Sequence, residues 1–160
     1  MASALTIYNR ADIVNFMNTG TSESPVYTRM QGFTSGGKSL NPSTYERRYI
    51  DEKTQRSTVT GYSTNIAYNF DRIVGNTIHE KIADIHDKEL VGETVQILTV
   101  NMKNNEARLR TYSVIPDNDG DSTDAYTYSG NFHADGDITE GTATVSADGM
   151  TATFSQNLSI

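Results

Sequence analysis

A period of two in the apolar residues runs through most of this chain and constrains its fold more than any other feature. In the segment 64–71, Ile66, Tyr68 and Phe70 alternate with polar or small residues. Such alternation is typical of a β-strand with one buried face. The sequence therefore predicts a mainly β protein. The other segments predicted as strands are 26–31, 47–51, 57–61, 94–101, 107–114, 125–133, 138–146 and 150–154.

Turn signals connect some of these strands. Residues 102–106 follow one strand, and Asp148-Gly149 follows another. Asp-Gly favours a tight hairpin turn because glycine adopts a positive φ without a Cβ clash. We expect an antiparallel hairpin at each place. For the segment 12–17, periodicity does not decide between a strand and a short helix.

One segment, 76–87, follows a helical period instead. Ile78, Ile82 and Ile85 recur at spacings of four and three, which places them on one face of an α-helix. Asn76 is suited to cap the first turn, because its side-chain oxygen can accept an otherwise unpaired N–H. We expect a single helix whose isoleucine stripe lies on a sheet.

Charge is segregated along the chain. Residues 111–160 contain no Lys or Arg, although the net charge of the whole chain is −7. This part does not bind nucleic acid, because phosphate binding requires basic side chains. Two interpretations stay open: a surface that repels nucleic acid, or aspartates that stabilise turns. The carboxylates concerned are Asp117, Asp119, Asp121, Asp124, Asp135, Asp137, Glu140 and Asp148.

Length and composition favour one domain that is stabilised by packing or assembly. The 160 residues include no cysteine, so disulfide bonds and thiolate chemistry are excluded. The sequence has no apolar run of the roughly 18 residues typical of a membrane-spanning helix. We expect a soluble protein that is made in a cytoplasm and has no contact with a membrane.

The segment 34–46 is long for a hairpin connection and contains Gly36, Gly37 and Pro42. Loops of this length in compact domains are usually functional or disordered. We favour an interaction loop, and the alternative is a surface loop without a role.

Residues 32–39 match the phosphate-binding pattern G-x-x-x-x-G-K-[ST] at every fixed position. The mechanism requires a helix that begins at Lys38, so that backbone N–H groups meet the phosphates. Asn41 instead precedes Pro42, which disfavours a helical conformation at Asn41. We interpret the match as coincidental.

No motif indicates an enzyme, a metal site or a cofactor. The run that begins at Asp117 lacks the glycine and glutamate positions of an EF-hand calcium loop. His79, His86 and His133 do not have the spacing of zinc ligands, and we expect them on the surface.

The order of several segments resembles the tail tube (major tail) proteins of bacteriophages that infect low-GC Gram-positive bacteria. The segments are FMNTG, VYTRMQGFTSGGKSLNPSTYERRYIDE, TVTGYSTNIAYNFDR, HEKIADIHDKELVGE, YSVIPDNDGDSTDAYTYSGNFHADGD and GTATVSADGMTATF. The likeness extends from about Arg10 to Phe154. Each segment is weakly specific, and their order and spacing carry the resemblance.

The resemblance implies a two-sheet antiparallel β-sandwich or barrel with one flanking α-helix. Residues 1–160 would form a single tail tube domain with arms at 1–10 and 157–160. Copies would form rings, hexameric in this family, that stack into a hollow tube through which DNA passes without specific binding. Other partners would be the tape-measure protein and tail-end proteins. The protein would be located in the virion tail after synthesis in the host cytoplasm.

Positions carried over from the family give candidate site residues. Ile78, Ile82 and Ile85 would pack the family's single helix on the sandwich. The acidic residues from Asp117 to Glu140 would line an electronegative lumen or lie in turns. The loop that contacts a neighbouring subunit would contain Thr34, Ser35, Gly36, Gly37, Lys38, Ser39, Asn41 and Tyr45.

Edge strands of an open β-domain carry unpaired N–H and C=O groups, and we expect neighbouring copies to cover them. Three alternatives remain. The first is the inner tube of a contractile tail or a phage-derived bacteriocin. The second is a β-sandwich binding or adhesin module with Tyr112, Tyr126 and Tyr128 in a cleft. The third is a nucleotide hydrolase that uses Lys38.

Overall fold

The computed structural model describes residues 7–21, 23–35, 37–120 and 122–156. The predicted fold class is confirmed: the chain is mainly β, its strands pair antiparallel, and one α-helix flanks them. A short 3₁₀ turn, Arg10–Asp12, precedes the first strand. The strands are β1 (Ile13–Asn18), β2 (Tyr27–Arg29), β3 (Phe33–Ser35), β4 (Lys38–Ser39), β5 (Pro42–Arg47), β6 (Arg56–Tyr62), β7 (Asn65–Asp71), β8 (Thr94–Asn101), β9 (Glu106–Asp119), β10 (Thr127–Ala134), β11 (Thr139–Val145) and β12 (Thr151–Gln156), and the helix α1 is Thr77–Asp87.

Six strands close into a barrel. Neighbouring strands follow the order β11-β12-β2-β1-β8-β9, and β11 also pairs with β9 between residues 139–142 and 106–109. The path of hydrogen-bonded neighbours therefore returns to its starting strand. Closure of this kind removes the free edges of a sheet.

The remaining strands of the sheet are joined to the barrel through the second half of β9. This strand is 14 residues long, so it extends beyond the barrel and pairs with β10 from Tyr112 to Asp119. β10 pairs with β7, and β7 pairs with β3 and β4 on its other side. We call this extension, formed by β10, β7, β3 and β4, the wing.

The strand β8 is buried on both faces and separates two apolar cores. Leu98 and Val100 lie in the barrel core with Phe16, whereas Val95 and Ile97 lie in a second core beneath α1. A strand that is buried on both faces is nearly continuously apolar, as the sequence VQILTV is. The strand predicted at 94–101 is confirmed with the same boundaries.

The helix is confirmed as predicted. The Asn76 side chain accepts hydrogen bonds from the backbone N–H groups of Ile78 and His79 at 3.1 and 3.2 Å. Ile78, Ile82 and Ile85 are all buried and belong to the second core. The isoleucine stripe therefore attaches α1 to the wing and to β8.

Gly130 leaves room for the aromatic ring of Tyr68 in the wing. It lies opposite Tyr68 in the pairing of β10 with β7. A Cβ at this position would lie 2.5 Å from the carbonyl oxygen of Ile115 and 2.6 Å from the Tyr68 hydroxyl. Only glycine fits here without a shift of the β9 backbone.

Two local predictions require correction. The segment 34–46, expected as a loop, contributes to the three strands β3, β4 and β5. The strand predicted at 47–51 does not exist, because β5 ends at Arg47 and the chain then turns. Ile50, within this segment, is fully exposed. The undecided segment 12–17 lies mostly in β1.

The expected open border is mostly closed by the contact between β11 and β9. Within the part of the chain that the structure describes, free edges remain along β3 and β4 and in the two-stranded sheet of β5 and β6. Of the arms expected at 1–10 and 157–160, residues 1–6 and 157–160 lie outside the described part, and Ile7 and Tyr8 are exposed. No helix among the described residues has the length and apolar character needed to cross a membrane.

Substitution of Ile82 tests the attachment of the helix. Ile82→Ala should lower the free energy of unfolding by about 2–5 kcal/mol, because it opens a cavity in the second core. Ile82→Asp should prevent folding, because it buries an unpaired carboxylate. Urea unfolding followed by circular dichroism measures both effects. Asp84→Ala, on the exposed face of the same helix, is the control, and an equal loss in this variant would contradict the interpretation.

Candidate functional site

The strands β5 and β6 form a hairpin that stands away from the body of the protein. Every residue of the two strands is exposed except Gly61, which is half-buried. The two strands pair only with each other within the described part of the chain. A hairpin of two strands is at best marginally stable in water. Its surface is therefore a candidate for contact with another molecule.

The surface of the hairpin combines aromatic, aliphatic and cationic side chains. Tyr45, Tyr49, Ile50, Val59 and Tyr62 are exposed. Two guanidinium groups lie over tyrosine rings: that of Arg47 is 5.8 Å from the ring centre of Tyr45, and that of Arg56 is 5.8 Å from the ring centre of Tyr49. Tyr and Arg are the residue types enriched where protein interfaces gain most of their binding energy.

The root of the hairpin is fixed to the first residue of β7. Lys38 and Ser39 pair with Ile66 and Asn65 in the wing. Asn41 then turns the chain with a positive φ of 45°, and its side-chain amide donates to the Ser63 carbonyl at 3.0 Å. The hairpin thus leaves the body at the Asn65 end of β7.

The structure divides the residues that were predicted to form one intersubunit loop. Thr34 and Ser35 lie in β3, and Lys38 and Ser39 lie in β4, all of them along β7. Asn41 and Tyr45 belong to the hairpin. Gly36 lies outside the described residues, and Gly37 is exposed between β3 and β4.

The phosphate-binding pattern is not supported by its structural context. The residue that would begin the required helix, Lys38, lies in a strand and pairs with Ile66. A β-ladder directs its backbone N–H groups to the neighbouring strand, so they do not form a cradle for phosphate.

Carboxylates gather at the opposite end of β7, and we call this region the acidic end. Its carboxylates are those of Asp71, Asp87, Asp117, Asp119 and Asp124, and Ile73, Val74 and Tyr126 expose apolar surface beside them. The region is connected by hydrogen bonds: the Arg72 N–H donates to the Tyr126 carbonyl at 3.0 Å, and the Tyr126 hydroxyl donates to Asp119 at 3.0 Å.

The buried side chain of His86 contacts a carboxylate of the acidic end. His86 Nε2 lies 2.6 Å from the Tyr68 hydroxyl, and its Nδ1 lies 3.5 Å from Asp119. Burial holds the pKa of His86 below its ordinary value, although the nearby Asp119 carboxylate raises it in part. The imidazole is therefore neutral at pH 7 and joins the core to the surface.

A second network lies beside it. The Arg72 guanidinium donates to Glu80 at 2.7 Å and to the Tyr128 hydroxyl at 3.0 Å. The Tyr128 hydroxyl in turn donates to Asp87 at 3.3 Å. This network connects the end of β7 to both ends of α1. It also holds the carboxylates of Glu80 and Asp87 in place.

His79 forms a rigid contact at the start of α1. Its Nδ1 accepts from the Ile73 N–H at 3.0 Å, and its Nε2 donates to the Gln31 carbonyl at 2.6 Å. Burial lowers its pKa, while the hydrogen bond to the Gln31 carbonyl raises it in part. The expectation that the histidines lie on the surface is wrong for His79 and His86, because distant partners enclose them. His133 is half-buried.

The structure does not bring the predicted acidic residues onto one surface. Asp117, Asp119 and Asp124 belong to the acidic end, whereas Asp135 and Asp137 follow β10 near the root of the hairpin. Glu140 lies in β11 with its carboxylate 3.9 Å from Arg108. Asp121 lies outside the described residues. The assignment of any of them to a lumen stays a prediction.

Among the described residues, the predicted cleft lined by Tyr112, Tyr126 and Tyr128 does not form. Tyr112 and Tyr128 are buried, and Tyr126 is exposed at the acidic end. A groove of 480 Å³ between β1, β3 and β7 is lined by other residues, including Arg10 and Arg29.

The hairpin surface and the acidic end lie at opposite ends of one strand. β7 begins at Asn65, beside the hairpin root, and ends at Asp71, which pairs with Thr127 beside Tyr126. Seven residues of extended strand span about 20 Å. The sequence predicted most of β6, as the strand 57–61, but it did not predict β5 or the role of Arg72. The exposed Arg and Tyr residues between 45 and 56 were the available signal.

Comparison with known proteins supports the fold. No protein-family model matches the chain, and no curated protein does. A chain from the tail of an empty gene transfer agent particle, refined with helical C6 symmetry, matches at a TM-score of 0.63 and 12% identity, covering 83% of this chain and 98% of that chain. A chain from the virion of a native gene transfer agent particle matches at 0.60 and 12%, covering 84% and 98%. At this identity the likeness establishes a shared fold.

The buried histidines predict that the protein loses stability in mild acid. The unfolded chain takes up protons near the ordinary histidine pKa of about 6.5, whereas the folded chain resists protonation at His79 and His86. The stability that these residues contribute is complete above that pKa, and it should fall as the pH decreases from 7.5 to 5.5. Urea midpoints at several pH values measure the slope. A double variant, His79→Gln with His86→Gln, should be less stable but have a shallower slope, and an unchanged slope would contradict the assignment.

Proposed function

We propose that this protein is a structural tail tube protein that polymerises as stacked rings into the hollow tube of a phage tail or phage-like particle. Three observations support the proposal: the order of the sequence segments, the shared fold with chains from gene transfer agent tails and virions, and the exposed hairpin. The proposed role is structural, and the protein acts without a cofactor or a catalytic residue.

The exposed hairpin carries the proposal. A monomer that functions alone gains little from an extended pair of strands that bury none of their tyrosines. An assembly does gain, because the hairpin adds contact area beyond the compact body. Tyr45, Tyr49 and Ile50 would lie against a neighbouring copy, with the exposed part of β5 and β6 buried in the tube.

Lateral contacts in the ring have a second candidate. β3 and β4 leave one edge unpaired beside β7. Strand edges bind other strands by main-chain hydrogen bonds, and a head-to-tail contact of this kind closes a ring at the correct rotation. The proposed ring is hexameric, in line with the family resemblance and with the C6 symmetry of one matched structure.

Further elements of the proposal concern partners and location. The tape-measure protein and tail-end proteins would contact the tube interior and its ends, and DNA would pass without specific binding. The protein would be made in the cytoplasm of a Gram-positive host and then become part of the virion tail. The inner tube of a contractile tail or of a bacteriocin remains the second candidate, since it would use the same ring contacts and differ by an outer sheath.

Replacement of the hairpin tests the proposal. A variant in which an Asn-Gly turn replaces residues 43–61 keeps the Pro42–Tyr62 pair next to a tight turn and should fold as a monomer. We expect the unmodified protein to form fibres on the order of a hundred ångström wide in negative-stain electron microscopy, from about six domains around a channel. The shortened variant should form none.

The control for this experiment is a test that the shortened variant is folded. The urea midpoint of the shortened variant should match that of the unmodified protein, because the removed residues are almost all exposed, and its circular dichroism should lose only the contribution of the removed strand residues. Deletion of residues 35–39 would be a poorer test, because it also removes the pairing of β4 with β7. Normal tubes from the shortened variant would contradict the role of the hairpin, and a monomeric unmodified protein at high concentration would contradict the proposed function.

A further inference from the structure

We infer that the acidic end of one protomer receives the hairpin of the next protomer along the tube. The inference rests on the proposed function and names the surface that the stacking contact uses. It is carried by the charges, the exposed apolar residues and the positions of the two regions, taken together.

The end of the hairpin, residues 46–56, carries four basic and three acidic side chains and so has a net charge of +1. Arg47 and Arg56 lie directly opposite each other in the pairing of β5 with β6. Like charges in this position destabilise a hairpin. Arg56 is paired with Glu52 at 2.8 Å, whereas Arg47 and the adjacent Arg48 form no salt bridge within the described part of the chain. An external carboxylate would relieve this repulsion.

The acidic end offers such carboxylates. Asp87 and Asp119 already accept hydrogen bonds from tyrosine hydroxyls. Asp71, Asp117 and Asp124 form no salt bridge among the described residues and are exposed. Asp117 is the extra residue at the β-bulge where β9 faces the junction of Ser129 and Gly130 in β10. Bulges redirect side chains, and this one adds a carboxylate to the acidic end.

The acidic end and the hairpin also both expose apolar surface. Val74 is 97% exposed, and Ile73 and Tyr126 lie beside it with about half of their surface accessible to solvent. The hairpin presents Tyr49 and Ile50 at its tip, and Ile50 is fully exposed. Each region thus combines an apolar centre with charged residues around it, as protein interfaces do.

The position of the two regions requires a second copy. They lie at opposite ends of β7, and the hairpin strands are exposed instead of lying on the acidic end of their own chain. A contact between two different surfaces of identical subunits is heterologous and repeats without limit along an axis. Stacked rings need a contact of this kind.

Charge reversal tests the inference. Variant A carries Arg47→Glu and Arg48→Glu, and variant B carries Asp71→Lys, Asp117→Lys and Asp124→Lys. Each should raise the critical concentration for tube formation at least tenfold, because like charges then meet at the contact. A chain with all five substitutions should assemble again, since the opposite charges are exchanged between the surfaces. Sedimentation and electron microscopy measure assembly, and urea midpoints check the fold.

A mixing experiment adds a second readout. Variant A has an acidic hairpin and an acidic end, and variant B has a basic hairpin and a basic end. Neither should assemble alone, but an equimolar mixture should form tubes that contain both. Asp135→Lys with Asp137→Lys reverses two acids near the hairpin root and should leave the critical concentration within about twofold, as expected for changes outside the contact.

The outcomes separate the inference from the proposed function. If the unmodified protein forms tubes and variants A and B assemble equally well, the inference is overturned and the proposed function stands. A failure of the five-substitution chain and of the mixture to assemble would also overturn it, as would an equal defect in the Asp135 and Asp137 control. If the unmodified protein forms no tubes, the proposed function fails and the inference fails with it.

Discussion

Burial of β8 on both faces is the constraint on which the rest of the structure depends. Val95 and Ile97 close the core beneath α1, and Leu98 and Val100 fill the barrel. A shift of β8 by one residue would exchange these side chains between two cores of different shape, so the register is strongly fixed. The pairing of β8 with β1 and β9 transmits this register to both neighbours. The barrel and the wing are thereby held as one sheet that shares β9.

This arrangement buries apolar side chains of the barrel and of the helix, but it buries none of those of the hairpin. The stability of β5 and β6 rests on their own cross-strand contacts, since their side chains are exposed. An isolated hairpin is marginal, and the facing pair of Arg47 and Arg56 weakens it further. Contact with another copy would supply the buried surface that the monomer lacks. The least satisfied part of the fold is therefore also the part that we propose as an assembly contact.

The sequence predicted those elements whose cause is local. The cap at Asn76, the isoleucine stripe, the alternation of β7 and the Asp-Gly turn depend on residues close together in the chain. The length of β9 could not be predicted, because beyond Val114 it contains a proline and polar residues and is a strand only through its pairing with β10. The strand β6 was predicted at 57–61, whereas β5 was missed because all of its residues are exposed and it lacks a buried face. The burial of His79 depends on Gln31, which is distant in the sequence.

The distribution of charge also determines which kind of assembly is favoured. A twofold pairing of hairpin with hairpin would bring Arg47 and Arg48 of one copy towards those of the other, and a twofold pairing of acidic ends would bring Asp117 and Asp124 together. Both arrangements bury like charges, which is costly where water is excluded. Of these arrangements, the head-to-tail one places Arg47 and Arg48 against the carboxylates of the acidic end. The same segregation of charge that leaves residues 111–160 without a base thus disfavours closed dimers and favours a polar stack.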